Sequence, residues 1–230
     1  AEQFATISAY EKRASGIPWN FSPVLDLGRQ PLWSRNFETL GEDPYLASQM
    51  GAAIIKGYQG STLDQFHVAA CLKHFVGYSA AQSGRDRTPA WIPEKYMKEL
   101  YLPAFKKAVE AGALTVMVNS GVVNGIPGHL NYDLLTKTLK NEWGFQGFAV
   151  SDWEDFIFIH TVHHTAPNLK TAYVNAFNAG VDMSMVPYSP QYKEYCEIML
   201  EGVKSGVIPM SRLDDAVRRI LRVKTKLGLF

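Results

Sequence analysis

Short apolar runs alternate along this chain with stretches whose apolar residues recur every three or four positions. The first pattern reads as buried strands and the second as amphipathic helices. After one helix-like stretch, Trp19 to Leu27 predicts a strand with Pro23 inside it. Asp43 to Gly60 predicts a helix, with Leu46, Met50, Ala53, Ile54 and Gly57 on one side. Asp43 supplies its cap and Pro44 its first turn. Val68 to His74 predicts the next strand, mostly apolar until Lys73-His74. Pro93 to Ala111 predicts an amphipathic helix closed by Gly112. Strands follow at Leu114 to Asn119, Phe148 to Asp152 and Val181 to Met185. Helices are predicted at Tyr132 to Trp143, Asn168 to Ala179, Tyr192 to Lys204 and Ser211 to Lys226. Ser211 and Asp214 resemble a capping box for the last one, with Asp in place of Glu.

This strand–helix alternation predicts an α/β fold with a parallel sheet covered by helices. The strands end in polar residues at one rim, which favours a TIM-type (β/α) barrel over an open sheet. No Gly-x-Gly-x-x-Gly follows the first strand, and no Gly-x-Ser-x-Gly elbow occurs. Dinucleotide-binding and α/β-hydrolase folds therefore lose support. A complete barrel has eight strands in about 250 residues. The five strands predicted here lead us to expect an incomplete barrel, without its first strands, spanning residues 1–230 as one partial domain.

Composition adds little to this picture. The 230 residues are 47% hydrophobic and 20% charged, with a formal net charge of +1. No basic block points to nucleic acid or a membrane surface. No apolar run reaches the roughly 18 residues of a membrane span. The two cysteines, Cys71 and Cys196, lie far apart. Cys71 sits in an apolar run and reads as a small core residue.

The candidate chemistry gathers at the strand ends: Asp26, Lys73-His74, Asn119 and Asp152, with Arg35 in the loop after the first strand. Asp152 closes the run Gly147 to Ser151 and is followed by Trp153. In a barrel such a position faces the active-site mouth; the competing reading is a cap for the next turn. Lys73 has three readings: a Schiff-base lysine, a donor to substrate hydroxyls, or a structural partner of a nearby Asp. His74 is an acid/base or a fixed donor. Glu38 is placed to hold Arg35 by a bidentate pair. Trp19, Trp33, Trp91 and Trp153 are candidates for stacking on sugar rings, or for ordinary core packing. His160, His163 and His164 lack a carboxylate partner in metal-site spacing. They read as a solvated loop, and no metal or other cofactor is expected.

Several segments together carry a resemblance: Gly16 to Asp26, Trp33 to Pro44, Lys73-His74-Phe75, Asn124 to Pro127, Glu142 to Phe145 leading to Val150 to Trp153, and Gly228 to Phe230. In this order and spacing the chain resembles glycoside hydrolase family 3, of the β-glucosidase type. The resemblance implies a retaining enzyme that removes non-reducing terminal β-glucosyl or related β-glycosyl residues. Asp152 matches the nucleophile; Arg35, Lys73 and His74 match glycone-binding residues; Trp153 is expected to shape the sugar subsite. A retaining mechanism needs two carboxyl groups, one attacking the anomeric carbon and one protonating the leaving oxygen. Arg35 and Lys73 are expected to keep Asp152 ionised.

Two departures stand out. Where the family usually has Ser-Tyr-Asn, this chain reads Asn119-Ser120-Gly121, and Ser34 replaces a usual Gly. The loop Val76 to Thr88 contains no His, unlike the family's β-N-acetylhexosaminidase branch. The resemblance further implies that the first strands and a following α/β sandwich domain lie outside these residues, together with the acid/base. The expected partners are a β-glycoside or oligosaccharide and the remaining parts of the same polypeptide. A periplasmic or secreted location is expected over a cytoplasmic one. Two alternatives stay open: a Schiff-base aldolase barrel using Lys73, and a non-catalytic sugar-binding fragment.

Overall fold

Four parallel strands carry the fold in the computed structural model, which describes every residue except Ser189. They are β1 (Trp19–Asn20), β2 (Ala69–Phe75), β3 (Thr115–Val118) and β6 (Phe148–Val150), hydrogen-bonded in that order. Between β3 and β6 lies a small hairpin, β4 (Val122–Val123) with β5 (Ile126–Pro127). Its turn is Asn124-Gly125, both at positive φ, as a tight hairpin requires. Neighbouring parallel strands joined by helical crossovers make the wall of a strand–helix barrel.

The strands are buried on both faces, so their apolar runs are nearly continuous. Alternate residues then divide between two cores. Ala70, Leu72, Val116, Val118 and Ala149 face the helices. Ala69, Cys71, Met117, Phe148 and Val150 face the other way. The helix-facing core receives α1 (Glu2–Ala14), α2 (Pro44–Gln59), α4 (Leu102–Glu110), α5 (Asp155–Thr161), α6 (Leu169–Ala179) and α7 (Gln191–Lys204). The last helix, α8 (Met210–Lys226), contributes Ala216 to this core. Its Val223 and the following Leu227 pack into the opposite core, which also contains Cys71.

Most predicted elements are present, with instructive differences. Asp43 caps α2 by accepting from the Leu46 N–H at 2.8 Å, and Gly60 ends it. Pro23 breaks the first predicted strand. Beyond Asn20 the chain keeps pace with β2 only through single bonds, such as Leu25 N–H to the Lys73 carbonyl. The predicted strand at 181–185 is reduced to a bridge between Val150 and Met183. The helix expected over 93–111 runs as α3 (Glu94–Tyr96), a π-helical stretch Met97–Tyr101, and α4. Pro103 has no N–H to give to the turn before it, which accounts for the widened ladder. The helix expected over 132–143 is a π-type helix, Asp133–Glu142. The capping box at Ser211 does not form: α8 begins one residue earlier, after Pro209, with no side-chain cap. His160 lies in α5 and not in a loop.

A buried ionic cluster ties α8 to the sheet. Asp182 Oδ1 accepts from Lys140 Nζ at 2.7 Å and from Arg212 Nη2 at 2.8 Å. Its Oδ2 accepts from the Ala149 N–H at 2.8 Å. Burial pulls the Lys140 pKa down to about 8. The cluster fixes the segment around Asp182 against β6, whose continuation carries Asp152.

Candidate active site

Asp152 follows β6 by two residues and is largely buried, with a side-chain exposure of 12%. Ser120 Oγ donates to its Oδ2 at 2.9 Å, and the Trp153 N–H donates to its Oδ1 at 2.6 Å. His74 Nε2 lies 3.6 Å from Oδ2, and Arg87 Nη2 lies 4.0 Å from Oδ1. Burial alone pushes the Asp152 pKa up. His74, the Trp153 amide, the Ser120 hydroxyl and Arg87 outweigh that, and the net shift is downward. Asp152 is therefore an ionised carboxylate with both oxygens oriented. The expectation named Arg35 and Lys73; the nearest basic side chains are instead His74 and Arg87, and Arg35 also feels the Asp152 charge. The competing reading as a helix cap also fails, because Glu154 occupies that position before α5 and makes no side-chain cap bond.

His74 lies near the end of β2 and is fully buried. Asp26 holds it from below: Asp26 Oδ2 accepts from the His74 N–H at 2.9 Å and faces Nδ1 at 2.8 Å. Tyr78 packs edge-on against the ring at 4.9 Å. Arg35 Nη1 reaches His74 Nε2 at 3.1 Å. Arg35 itself is gripped by Glu38 in a two-pronged pair of 2.6 and 2.9 Å. The expected bidentate pair is thus present, and its local cause is clear. The short 3-10 turn Asn36–Glu38 begins just after Arg35, and residues three apart eclipse in such a turn. Glu38 raises the Arg35 pKa, and Arg35 lowers that of Glu38.

Lys73 precedes His74 across a cis peptide bond and is half-buried. Among the described residues it makes no ion pair within 4.0 Å, which removes the reading of a Lys locked to a nearby Asp. Trp153 is 44% exposed beside Asp152 and meets Tyr188 edge-on at 5.9 Å. Arg35, His74, Asp152 and Trp153 thus converge, with Lys73 adjacent.

Other candidates take structural roles. Asn119 is buried; its side chain donates to the Val76 carbonyl at 3.0 Å and accepts from the Gly121 N–H at 2.6 Å. It shapes the turn that presents Ser120. Trp33 is buried and donates to Asp86 at 2.9 Å. Trp19 bonds Thr115 at the start of β3, at the opposite end of the strands from Asp152. Trp91 is exposed beside the hairpin turn. His160 and His164 turn Nδ1 toward backbone carbonyls, and no group of three metal-type ligands occurs among the described residues.

Four residues escaped the sequence reading. Arg87 comes from the loop after β2, and Asp155 from the first turn of α5. Arg87 Nη1 meets Asp155 Oδ1 at 3.2 Å. His129 follows the hairpin and accepts the Asp152 N–H at 3.3 Å through Nε2. Burial pulls its pKa down to about 3, so the ring is neutral. Ser120 entered the reading only as a departure from a usual Tyr, yet it contacts Asp152 directly. Apolar periodicity does not mark any of these residues, because only the closed fold brings them together. A groove of about 710 Å³ lies far from them, among Ser48, Lys106 and Trp143 on the outer helices.

Comparison with known proteins now decides the family. The glycosyl hydrolase family 3 N terminal domain matches residues 1–223. The chain belongs to glycosyl hydrolase family 3. Its sheet is part of that family's TIM-type barrel domain. A lysosomal beta glucosidase of Dictyostelium discoideum is 48% identical over 98% of the chain and 28% of its own length. A periplasmic beta-glucosidase of Salmonella typhimurium is 38% identical over 97% of the chain and 29% of its own length. The chain thus spans under a third of these relatives. The crystal structure of a beta-glucosidase from Listeria innocua in complex with glucose superposes with a TM-score of 0.94 at 37% identity. That match covers 100% of this chain and 32% of the other.

Proposed function

We propose that this chain forms the nucleophile-bearing part of a retaining β-glycosidase that removes non-reducing terminal β-glucosyl or related β-glycosyl residues. The observation that carries the reading is Asp152: a strand-end carboxylate kept ionised in a buried site by oriented donors. Its oxygen attacks the anomeric carbon, the aglycone oxygen leaves with a proton from a second carboxyl, and a glycosyl ester forms. Water then cleaves the ester, with the second carboxyl taking its proton back. Arg35, Lys73 and His74 hold the glycone hydroxyls, and contacts that tighten in the oxocarbenium-like transition state lower the barrier. Trp153 offers a ring face beside them.

The same reading puts the acid/base outside these residues. Near Asp152, Asp26 is committed to His74 and Glu38 to Arg35. Asp155 is only 1% exposed, with Oδ1 paired to Arg87 and Oδ2 bonded to Ser120, and is committed to those partners. Relatives named beta-glucosidase and beta-xylosidase support the substrate class. Relatives named periplasmic and lysosomal favour a non-cytoplasmic compartment. The Schiff-base alternative needs the polar groups to converge on Lys73; they converge on Asp152.

The test is trapping with a 2-deoxy-2-fluoro-β-glucoside and peptide mapping of the intact protein. A sugar ester on Asp152 is expected. An ester on any other carboxylate, or an imine on Lys73 with a carbonyl substrate, overturns the proposal.

A further inference from the structure

Ser120 Oγ stands between two carboxyl groups with one proton to give. It lies 2.9 Å from Asp152 Oδ2 and in a still shorter bond to Asp155 Oδ2. A hydroxyl donates once. If both carboxyls were ionised, one of these contacts would press two unshielded oxygen lone pairs together in a buried site. A proton on one carboxyl removes the conflict.

The surroundings say which carboxyl carries it. Asp152 has the Trp153 N–H, His74 and Arg87 around it and keeps some exposure. Asp155 is almost completely buried, and among the described residues Arg87 is its one close cation, at Oδ1. Its Oδ2 faces acceptors: Ser120 Oγ and, at 3.7 Å, His129 Nε2. That nitrogen already accepts the Asp152 N–H, so its lone pair is directed into the site. An oxygen ringed by acceptors is the oxygen of an acid group.

We propose that Asp155 is a buried positioning residue held as the neutral acid, donating to Ser120 Oγ so that Ser120 donates to Asp152 Oδ2. The chain of bonds then runs one way, from Asp155 O–H through Ser120 O–H to Asp152. Arg87 binds the carbonyl oxygen of Asp155. The net charge of the pair is one negative, localised on the carboxylate that faces the sugar. The proposal rests on the reading of Asp152 as nucleophile for its catalytic meaning, but not for the proton itself. Burial, and then Asp152, push the Asp155 pKa up to about 8, against Ser120 and Arg87. Asp86 adds to the upward push, and His163 lies near enough to Arg87 to feel its charge. The pair is therefore a different solution from a tyrosine at position 120.

Two measurements test this on the intact protein. Infrared difference spectra at neutral pH are expected to show the carbonyl stretch of a protonated carboxyl. The band should persist in Asp152→Asn and vanish in Asp155→Asn. Its absence from the wild type, or its survival in Asp155→Asn, overturns the proposal whatever the identity of the nucleophile. Second, the labelling rate is followed against pH with a fluoro-glycosyl fluoride, whose leaving group needs no proton. The wild type is expected to show an inflection on the alkaline side that Asp155→Asn loses; an unchanged profile overturns the proposal. If Asp155→Asn fails to fold, Ser120→Ala answers instead: the infrared band must shift, because its acceptor is gone, and an unshifted band overturns the proposal. A label found elsewhere than Asp152 would refute the nucleophile while leaving the infrared result standing.

Discussion

Asp26 Oδ2 makes two contacts with His74, one to the backbone N–H at 2.9 Å and one to the ring Nδ1 at 2.8 Å. A single buried oxygen therefore fixes both the position of the β2 end and the rotation of the imidazole. Asp26→Ala frees the ring and leaves a buried N–H without a partner. The proposed glycone site should weaken by about 10- to 100-fold in kcat/KM, matching about 1.5–3 kcal/mol for a hydrogen bond to a charged group. A kinetic comparison with His74→Ala checks it: the double variant should be little worse than either single one.

Glu38 has the corresponding role for Arg35. Glu38→Gln keeps the shape but removes the charge from one prong and turns one acceptor into a donor. KM for an aryl β-glucoside should rise about tenfold with a smaller change in kcat, because the proposed Arg35 contact is to the bound glycone throughout. An equal fall in kcat and kcat/KM would instead mark Arg35 as acting only in the transition state.

Loss of Asp152 itself should be far more severe. Asp152→Asn is expected to reduce turnover by about 1000-fold or more, as for a covalent nucleophile. Substrate binding by calorimetry should survive, because the proposed glycone-binding residues Arg35, Lys73 and His74 remain in place.

Asp155 predicts a pH-dependent stability with a definite sign. Its folded pKa is raised to about 8 from an ordinary 3.8. Between these values the folded state binds the extra proton, so stability contributed by this group falls as pH rises through that window. Asp155→Asn has no such proton to lose. The difference in melting temperature, variant minus wild type, should therefore grow from pH 4 toward pH 8.

Helix caps give a paired test of local structure. Asp43→Ala removes the bond to the Leu46 N–H and should cost about 1 kcal/mol in denaturant unfolding. Ser211→Ala removes no cap bond and should stay within about 0.5 kcal/mol.

The contrast between those two caps shows what the linear chain makes legible. Asp43-Pro44 ahead of an apolar stripe specifies a helix start by local chemistry alone. Ser211 offers the same letters, but Pro209 sets the backbone first and the helix starts before the serine can serve it. The barrel strands and the strand-end residues Asp152, Lys73 and His74 were readable because burial on both faces forces apolar runs that stop abruptly at the rim. Trp19 and Trp33 could not be sorted from Trp153 in this way, since the same side chain serves core and rim. Arg87, His129 and Asp155 meet around Asp152 from three separate segments, and no periodicity encodes that meeting. The helix bearing Asp155 is seven residues long and opens on Glu154 at positive φ, so its start carries no ordinary signal.

The packing of the end of α8 into the second core gives the molecule a built-in witness. Cys71 is fully buried in the same core as Val223 and Leu227, and burial pushes its thiol pKa up to about 12. Cys196, on α7, is exposed. A thiol reagent should therefore mark Cys196 at once and Cys71 only when that core opens, so the ratio of the two labels clocks the opening of the core shared by the strands and the last helix.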